Sequence, residues 1–127
     1  MRINFDSIKP IYAQVAEAIE DDIVTGKLKE GEAAYSQLIL SREFAINPAT
    51  AAKGINQLVS KGILEKQRGL SMIVAAGARE KLLNERINTE VWQIAESLVD
   101  SAIKVGLNKE NVIEKITKLY EGRNTNE

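Results

Sequence analysis

Wound at about 100° per residue, residues 49–60 bring Ala49, Lys53, Asn56, Gln57 and Ser60 onto one face, opposite Ala51, Ile55, Leu58 and Val59. Thr50 sits at the flank, in the first turn. Lys, Asn, Gln and Thr can bond base edges or phosphates, and small residues let a helix settle deep in a major groove. The same pattern fits an ordinary solvated face, since one Lys is not a basic patch. Further along, Lys66 and Arg68 flank a tip carrying Gly69. Such a tip either lies against phosphates or the minor groove, or is a surface turn that happens to be basic.

Other chemistries have little to work with. The chain contains no Cys and no His, which removes disulfides, thiolates, the commonest general base and the commonest metal ligand. No metal, cofactor or enzymatic activity is expected. A catalytic centre would rest on carboxylates, Lys or Tyr alone, and the adjacent Asp21 and Asp22 read as solvated groups beside a polar helix face. With 17 basic and 18 acidic residues the net charge is −1, so any positive surface must be local. The start Met1-Arg2-Ile3-Asn4-Phe5 lacks the apolar stretch of a signal peptide. No run approaches the ~20 apolar residues that span a bilayer. A cytoplasmic protein with no membrane partner is expected.

These groups need elements to hold them, and 44% hydrophobic residues in a chain of 127 allow a packed core. A helix is expected over 10–25, with Pro10 at its first position, Ile11, Val15, Ile19 and Ile23 on its apolar side, and Gly26 just beyond its end. Gln14, Glu17, Glu20, Asp21 and Asp22 fall on its polar side. Leu28 and Gly31 lie in a connection. A short helix follows over 36–44, capped by Ser36, with Tyr35 stapled onto Leu40. Ala45-Ile46-Asn47 forms a tight turn; Asn47 then caps, and Pro48 opens, a third helix that runs to about Lys61. Two short strands are expected over 63–68 and 71–75. Two helices joined by a three-residue turn are the helix-turn-helix plan, whose second helix enters the major groove.

Ala75-Ala76-Gly77 is the only break in composition, which divides the chain into 1–76 and 77–127. Beyond it a long helix is expected over 78–105, with Leu83, Ile87, Val91, Ile94, Leu98 and Ala102 spaced by fours and threes and Trp92, Ala95 and Val99 widening the stripe. A last helix, capped by Asn108 with Leu107 and Val112 as a staple, buries Ile113, Ile116 and Leu119. That helix is too short to cover the stripe, so a second copy of the chain is the natural lid; the competing arrangement folds both helices back onto the N-terminal part. Leu83, Ile87, Val91, Trp92, Ile94, Leu98 and Ala102 are the expected dimer interface.

The pattern Pro10-Ile11-Tyr12-x-Gln14-Val15, followed by Ile23-x-x-Gly26-x-Leu28-x-x-Gly31, resembles the opening signature of GntR-type regulators. The run Ile46-Asn47-Pro48-Ala49-Thr50-Ala51-Ala52-Lys53 resembles their recognition-helix start. Leu58, Gly62-Ile63-Leu64 and Arg68-Gly69 through Ile73-Val74 resemble the end of the module. The resemblance covers about residues 10–75. It implies a winged helix that binds DNA as a dimer, with contacts from Ser36, Gln37, Arg42, Asn47, Ala49, Thr50, Lys53, Asn56, Gln57, Lys66, Arg68 and Gly69. The family often carries an Arg in the second helix where this chain has Leu38, and a second wing Gly where it has Ser71. The short C-terminal part is similar in length to that of the YtrA-like subgroup, whose last helices serve dimerisation.

The expected fold is therefore mainly α with a small β-hairpin: a winged helix-turn-helix followed by two helices forming a dimerisation segment. The expected function is sequence-specific DNA binding by a transcriptional repressor that reads an inverted-repeat operator as a homodimer. Any small effector would bind between the C-terminal helices and the winged helix, or across the dimer, near Trp92. The alternative is a winged helix used for protein contacts, with weak or no DNA binding.

Overall fold

Pro10 has no N–H to lose and a preset φ, and its carbonyl accepts the first helical bonds from Ala13 and Gln14 at 3.1 Å each. It is the N-cap of α1, Ile11–Val24, so the helix starts one residue later than expected. The computed structural model describes residues 2–67 and 72–123. Gln14 ties the preceding segment to α1: its side chain accepts from the Asn4 N–H at 2.7 Å and donates to the Asn4 and Lys9 carbonyls.

Two side-chain caps set the next pair of helices. Ser36 Oγ accepts from the Ile39 N–H at 3.1 Å and starts α2, Gln37–Phe44. Asn47 Oδ1 accepts from the Ala49 N–H at 2.8 Å and starts α3, Pro48–Ser60. Between them Ala45 takes a left-handed conformation, φ 53°, which makes the reversal in three residues. α3 buries Ala51, Gly54, Ile55 and Leu58. Val59, expected with them, is half-buried, and Gly54 takes its place in the contact with α1.

The hairpin consists of β1, Leu64–Lys66, and β2, Met72–Val74, paired antiparallel with Leu64 opposite Val74 and Lys66 opposite Met72. Both strands are shorter than expected, and the tip at 68–71 lies outside the described residues. The connection at 31–34 also adds to this sheet. Ala34 N–H donates to Met72 O, Gly31 N–H to Val74 O, and Val74 N–H to Glu32 O, all within 2.9 Å. These bonds satisfy the outer edge of β2.

The helix expected over 78–105 is not uniform. It consists of α4, Ala78–Arg86, one π-helical turn, Ile87–Val91, and α5, Trp92–Lys104. The Trp92 N–H bonds the Ile87 carbonyl, five residues back. Ile87, Asn88, Thr89 and Val91 are weak helix formers, so the wider turn falls on the run least committed to α geometry. Ala78 and Leu82 of α4 are buried among Ile63, Leu64 and Val74 in the first core. For that reason the packing divides the chain into Met1–Glu85 and Arg86–Glu127, nine residues later than the break in composition.

In the second unit α5 is followed by Gly106, φ 78°, and by α6, Lys109–Arg123, which Asn108 caps through the Asn111 N–H at 2.8 Å. α6 fully buries none of its residues. Val112 and Ile116 are half-buried, whereas Ile113 and Leu119 are exposed, contrary to expectation.

Candidate nucleic-acid interface

A groove runs between the first turns of α2 and α3 and the hairpin. Ser36, Gln37 and Leu38 from the start of α2, Pro48, Ala52 and Asn56 from α3, and Lys66 and Met72 from the hairpin line it. Neither helix has an acidic residue in its first turn, and α3 has none at all. Glu65 alternates away from Lys66 along β1, opposite Ile73. Among the described residues the groove is lined by no carboxylate, although the chain carries 18. The free N–H groups and positive ends of two helices, with one Lys, make this region suited to an anion. Ser41 Oγ is buried beside it with no hydrogen-bond partner among the described residues.

The outer face of α3 continues this surface. Ala49, Lys53, Asn56, Gln57 and Ser60 are all exposed and Thr50 is half-buried, as the helical period requires. Lys53 does not project freely: its Nζ lies 4.0 Å from the centroid of the Tyr12 ring, a cation–π contact that draws it towards α1. Arg42 is exposed in the last turn of α2, away from the helix start that holds Ser36 and Gln37. The oxygens of Ser36 and Asn47 are engaged as caps. Arg68 and Gly69 lie outside the described residues.

Packing behind α2 depends on a residue expected to be solvated. Asp22 is buried, and Tyr35 Oη donates to its Oδ2 at 2.6 Å. This hydrogen bond, with burial and the Asp22 charge, pushes the Tyr35 pKa up to about 12. Because Tyr35 precedes the cap Ser36, the bond anchors the start of α2 to α1. At the far end of α3, Lys61 Nζ bonds Glu20 at 2.7 Å and Glu85 at 3.0 Å. Burial pulls the Lys61 pKa down, but the two carboxylates outweigh it and the net shift is upward.

In the second unit Ile87, Val91, Trp92, Ile94 and Leu98 are exposed, and Val99 and Ile103 lie exposed beside them. Two residues expected on the same surface are placed otherwise. Ala102 is buried within its own chain, where its carbonyl accepts from Leu107 N–H at 2.9 Å. Leu83 is half-buried and belongs to the first unit.

A helix-turn-helix followed by a two-stranded hairpin defines the winged-helix class of nucleic-acid-binding folds. The family model for bacterial regulatory proteins, gntR family, matches residues 11–74. The chain belongs to the GntR family, as the motifs at 10–75 imply. It is 29% identical over 118 residues to an HTH-type transcriptional regulator YhcF of Bacillus subtilis, covering 93% of this chain and 96% of that one. It is 25% identical over 101 residues to the B. subtilis repressor YtrA, covering 80% and 78%. With the mannosyl-D-glycerate transport/metabolism system repressor MngR of Escherichia coli it shares 33% identity over 86 residues, 68% of this chain, but it spans only 32% of MngR's length. A solved GntR family regulator from Listeria monocytogenes superposes with a TM-score of 0.68 at 28% identity, over 90% of this chain and 98% of that one. The AraR DNA-binding domain in complex with operator ORX1 superposes at 0.55 with 30% identity, over 59% and 96%. No helix among the described residues is long and apolar enough to cross a membrane.

Proposed function

We propose that this chain is a sequence-specific repressor that binds an inverted-repeat operator as a homodimer. The observation that carries the reading is a groove lined, among the described residues, by no carboxylate and joined to the polar face of α3 on a chain of net charge −1. Negative charge is kept away from where a recognition helix would enter the major groove, and Lys66 and two helix N-termini lie there. The operator complex of the AraR domain and the repressor names of MngR and YtrA support the assignment.

Residues 77–127 supply the pairing surface in this reading. Ile94 is 68% exposed and Trp92 56% on α5, and Ile87, Val91 and Leu98 are exposed as well; exposed large apolar side chains in this number suit an interaction surface. Pairing by a two-fold axis presents two recognition helices to two half-sites.

The test selects bound sequences from a random duplex pool and then measures affinity against salt. A preferred sequence with two-fold symmetry is expected, with an affinity that falls steeply as salt rises. Gln57→Ala should change the preferred base at one position of each half-site, at a cost of about 1–3 kcal/mol there. Lys66→Ala should weaken all sequences alike and lower the salt slope by about 0.9 for each phosphate that its ammonium neutralises. If no sequence is enriched and salt has no effect, the winged helix serves protein contacts instead.

A further inference from the structure

Leu38 stands out on the groove just described. It lies in the first turn of α2, is 62% exposed, and lines the same surface as Pro48, Ala52, Asn56 and Lys66. The lining around it is mixed: Ile55, Met72, Pro48 and Ala52 are apolar, Gln37, Asn56 and Lys66 are polar, and the positive ends of two helices adjoin it. A ligand that is anionic and also offers an apolar group matches both parts of this lining. Duplex DNA offers one on its major-groove face, the C5 methyl of thymine. That methyl projects from the base towards the groove wall, where the first helix of a helix-turn-helix crosses the backbone.

We propose that Leu38 is a specificity-determining residue that packs against a thymine methyl at the edge of each half-site. This inference rests on the DNA-binding reading and adds to it a base preference set by α2 rather than by α3. At this point Leu38 gives up a phosphate contact that a basic side chain would make. Sequence discrimination rises there while sequence-independent affinity falls. Pro48 and Ala52, which line the same groove, are small side chains.

The experiment uses the full chain and the operator selected by the wild-type protein. Each thymine is replaced in turn by deoxyuridine, which removes the methyl and leaves every hydrogen-bonding group. One thymine per half-site is expected to lose about fourfold in affinity on replacement, the effect of one buried carbon at ~0.8 kcal/mol. With Leu38→Ala the same replacement should have no effect. Leu38→Arg should abolish the methyl dependence, raise affinity for all sequences and steepen the salt dependence. Leu38 is exposed, so these variants should keep the wild-type circular dichroism and unfolding midpoint.

A wild-type protein that selects an operator but shows no methyl-dependent position overturns the inference and leaves the DNA-binding reading intact. So does a methyl dependence that persists in Leu38→Ala. A Leu38→Ala variant with unchanged DNA affinity but altered self-association assigns the patch to a protein contact and also overturns it. Failure of the wild type to bind DNA at all overturns both.

Discussion

Replacing Gly54 by Ala tests the contact that sets α3 against α1. A Cβ at this position would lie 2.7 Å from the Tyr12 carbonyl oxygen and 3.0 and 3.1 Å from Cγ1 and Cβ of Val15. Comfortable non-bonded contacts begin near ~3.5 Å, and the tightest of these partners is backbone, which cannot rotate aside. α1 and α3 would have to part by several tenths of an ångström along a contact that buries Val15, Ile19, Ala51 and Leu58. Overpacking of this kind costs about 1–3 kcal/mol, against a gain of about 1 kcal/mol from replacing a helical Gly by Ala. Because the tightest contact, 2.7 Å, is with backbone, the upper half of that cost applies, and a net loss of about 1–2 kcal/mol is expected. In urea unfolding of the full chain, followed by circular dichroism, the midpoint should fall by roughly 0.5–1 M at an unchanged slope. Gly122→Ala, a helical glycine with nothing within 4 Å of its added carbon, should not lower it. A Gly54→Ala protein as stable as wild type would refute the close approach and the packing argument drawn from it.

Ile94→Asp should shift the protein from dimer to monomer in light scattering at micromolar concentration. Losing an Ile from each side of a two-fold interface removes about 3 kcal/mol or more, over a hundredfold in dissociation constant. Tyr35→Phe should lower stability at pH 8 by about 1–3 kcal/mol, because buried Asp22 loses its donor. The folded-state pKa of Tyr35, about 12, lies above its ordinary value of 10.0, so the stability it contributes is complete below pH 10 and is lost as pH rises from about 10 through 12. Urea midpoints at pH 8 and pH 11 should therefore converge in the variant relative to wild type. Lys53→Ala should lower the salt slope of DNA binding by about 0.9 per phosphate and leave the selected sequence unchanged, since Tyr12 draws this side chain towards α1. Gln37→Glu should stabilise α2 by about 0.3–1 kcal/mol through its dipole and yet weaken DNA binding, measured by urea unfolding and by titration of the selected operator.

The helix-turn-helix was legible because its signals are local. Ser36, Asn47 and Pro48 act within one turn of chain, and the buried face of α3 follows the helical period. Three features were not legible, since each depends on a partner distant in sequence. Asp22 looks solvated beside Asp21 until Tyr35 arrives thirteen residues later. The connection at 31–34 carries no strand periodicity and becomes a strand partner only because β2 passes alongside it. Gly54 reads as a weak point within a helix, and only the approach of α1 explains it. The C-terminal stripe illustrates a different limit. Its spacing assumes a uniform helix, but the π turn at Ile87–Val91 inserts a residue and changes which side chains align across it. Leu82, one turn on from Ala78, meets the first core, while Leu83, expected at the dimer interface, is half-buried in the first unit, and the break in composition at Ala76-Gly77 precedes the structural one.

A DNA-facing surface on an acidic chain need not be rich in Lys or Arg; it can arise from where the carboxylates are absent. α1 carries Glu17, Glu20, Asp21 and Asp22, whereas α3 carries no acidic residue and α2 only Glu43, near its end. Isolated helices gain stability from acids in the first turn, so the empty first turns of α2 and α3 forgo about 0.3–1 kcal/mol each. Both helices are instead started by the neutral oxygens of Ser36 and Asn47, which satisfy one N–H apiece and leave others, with the positive ends of the dipoles, facing the groove. Neutral caps without acidic neighbours have no advantage for folding over an Asp cap followed by Glu. They do have one for a helix start that must accept phosphate. In the proposed DNA-binding reading, stability and binding therefore make opposite demands at Gln37, and a neutral residue there favours the second.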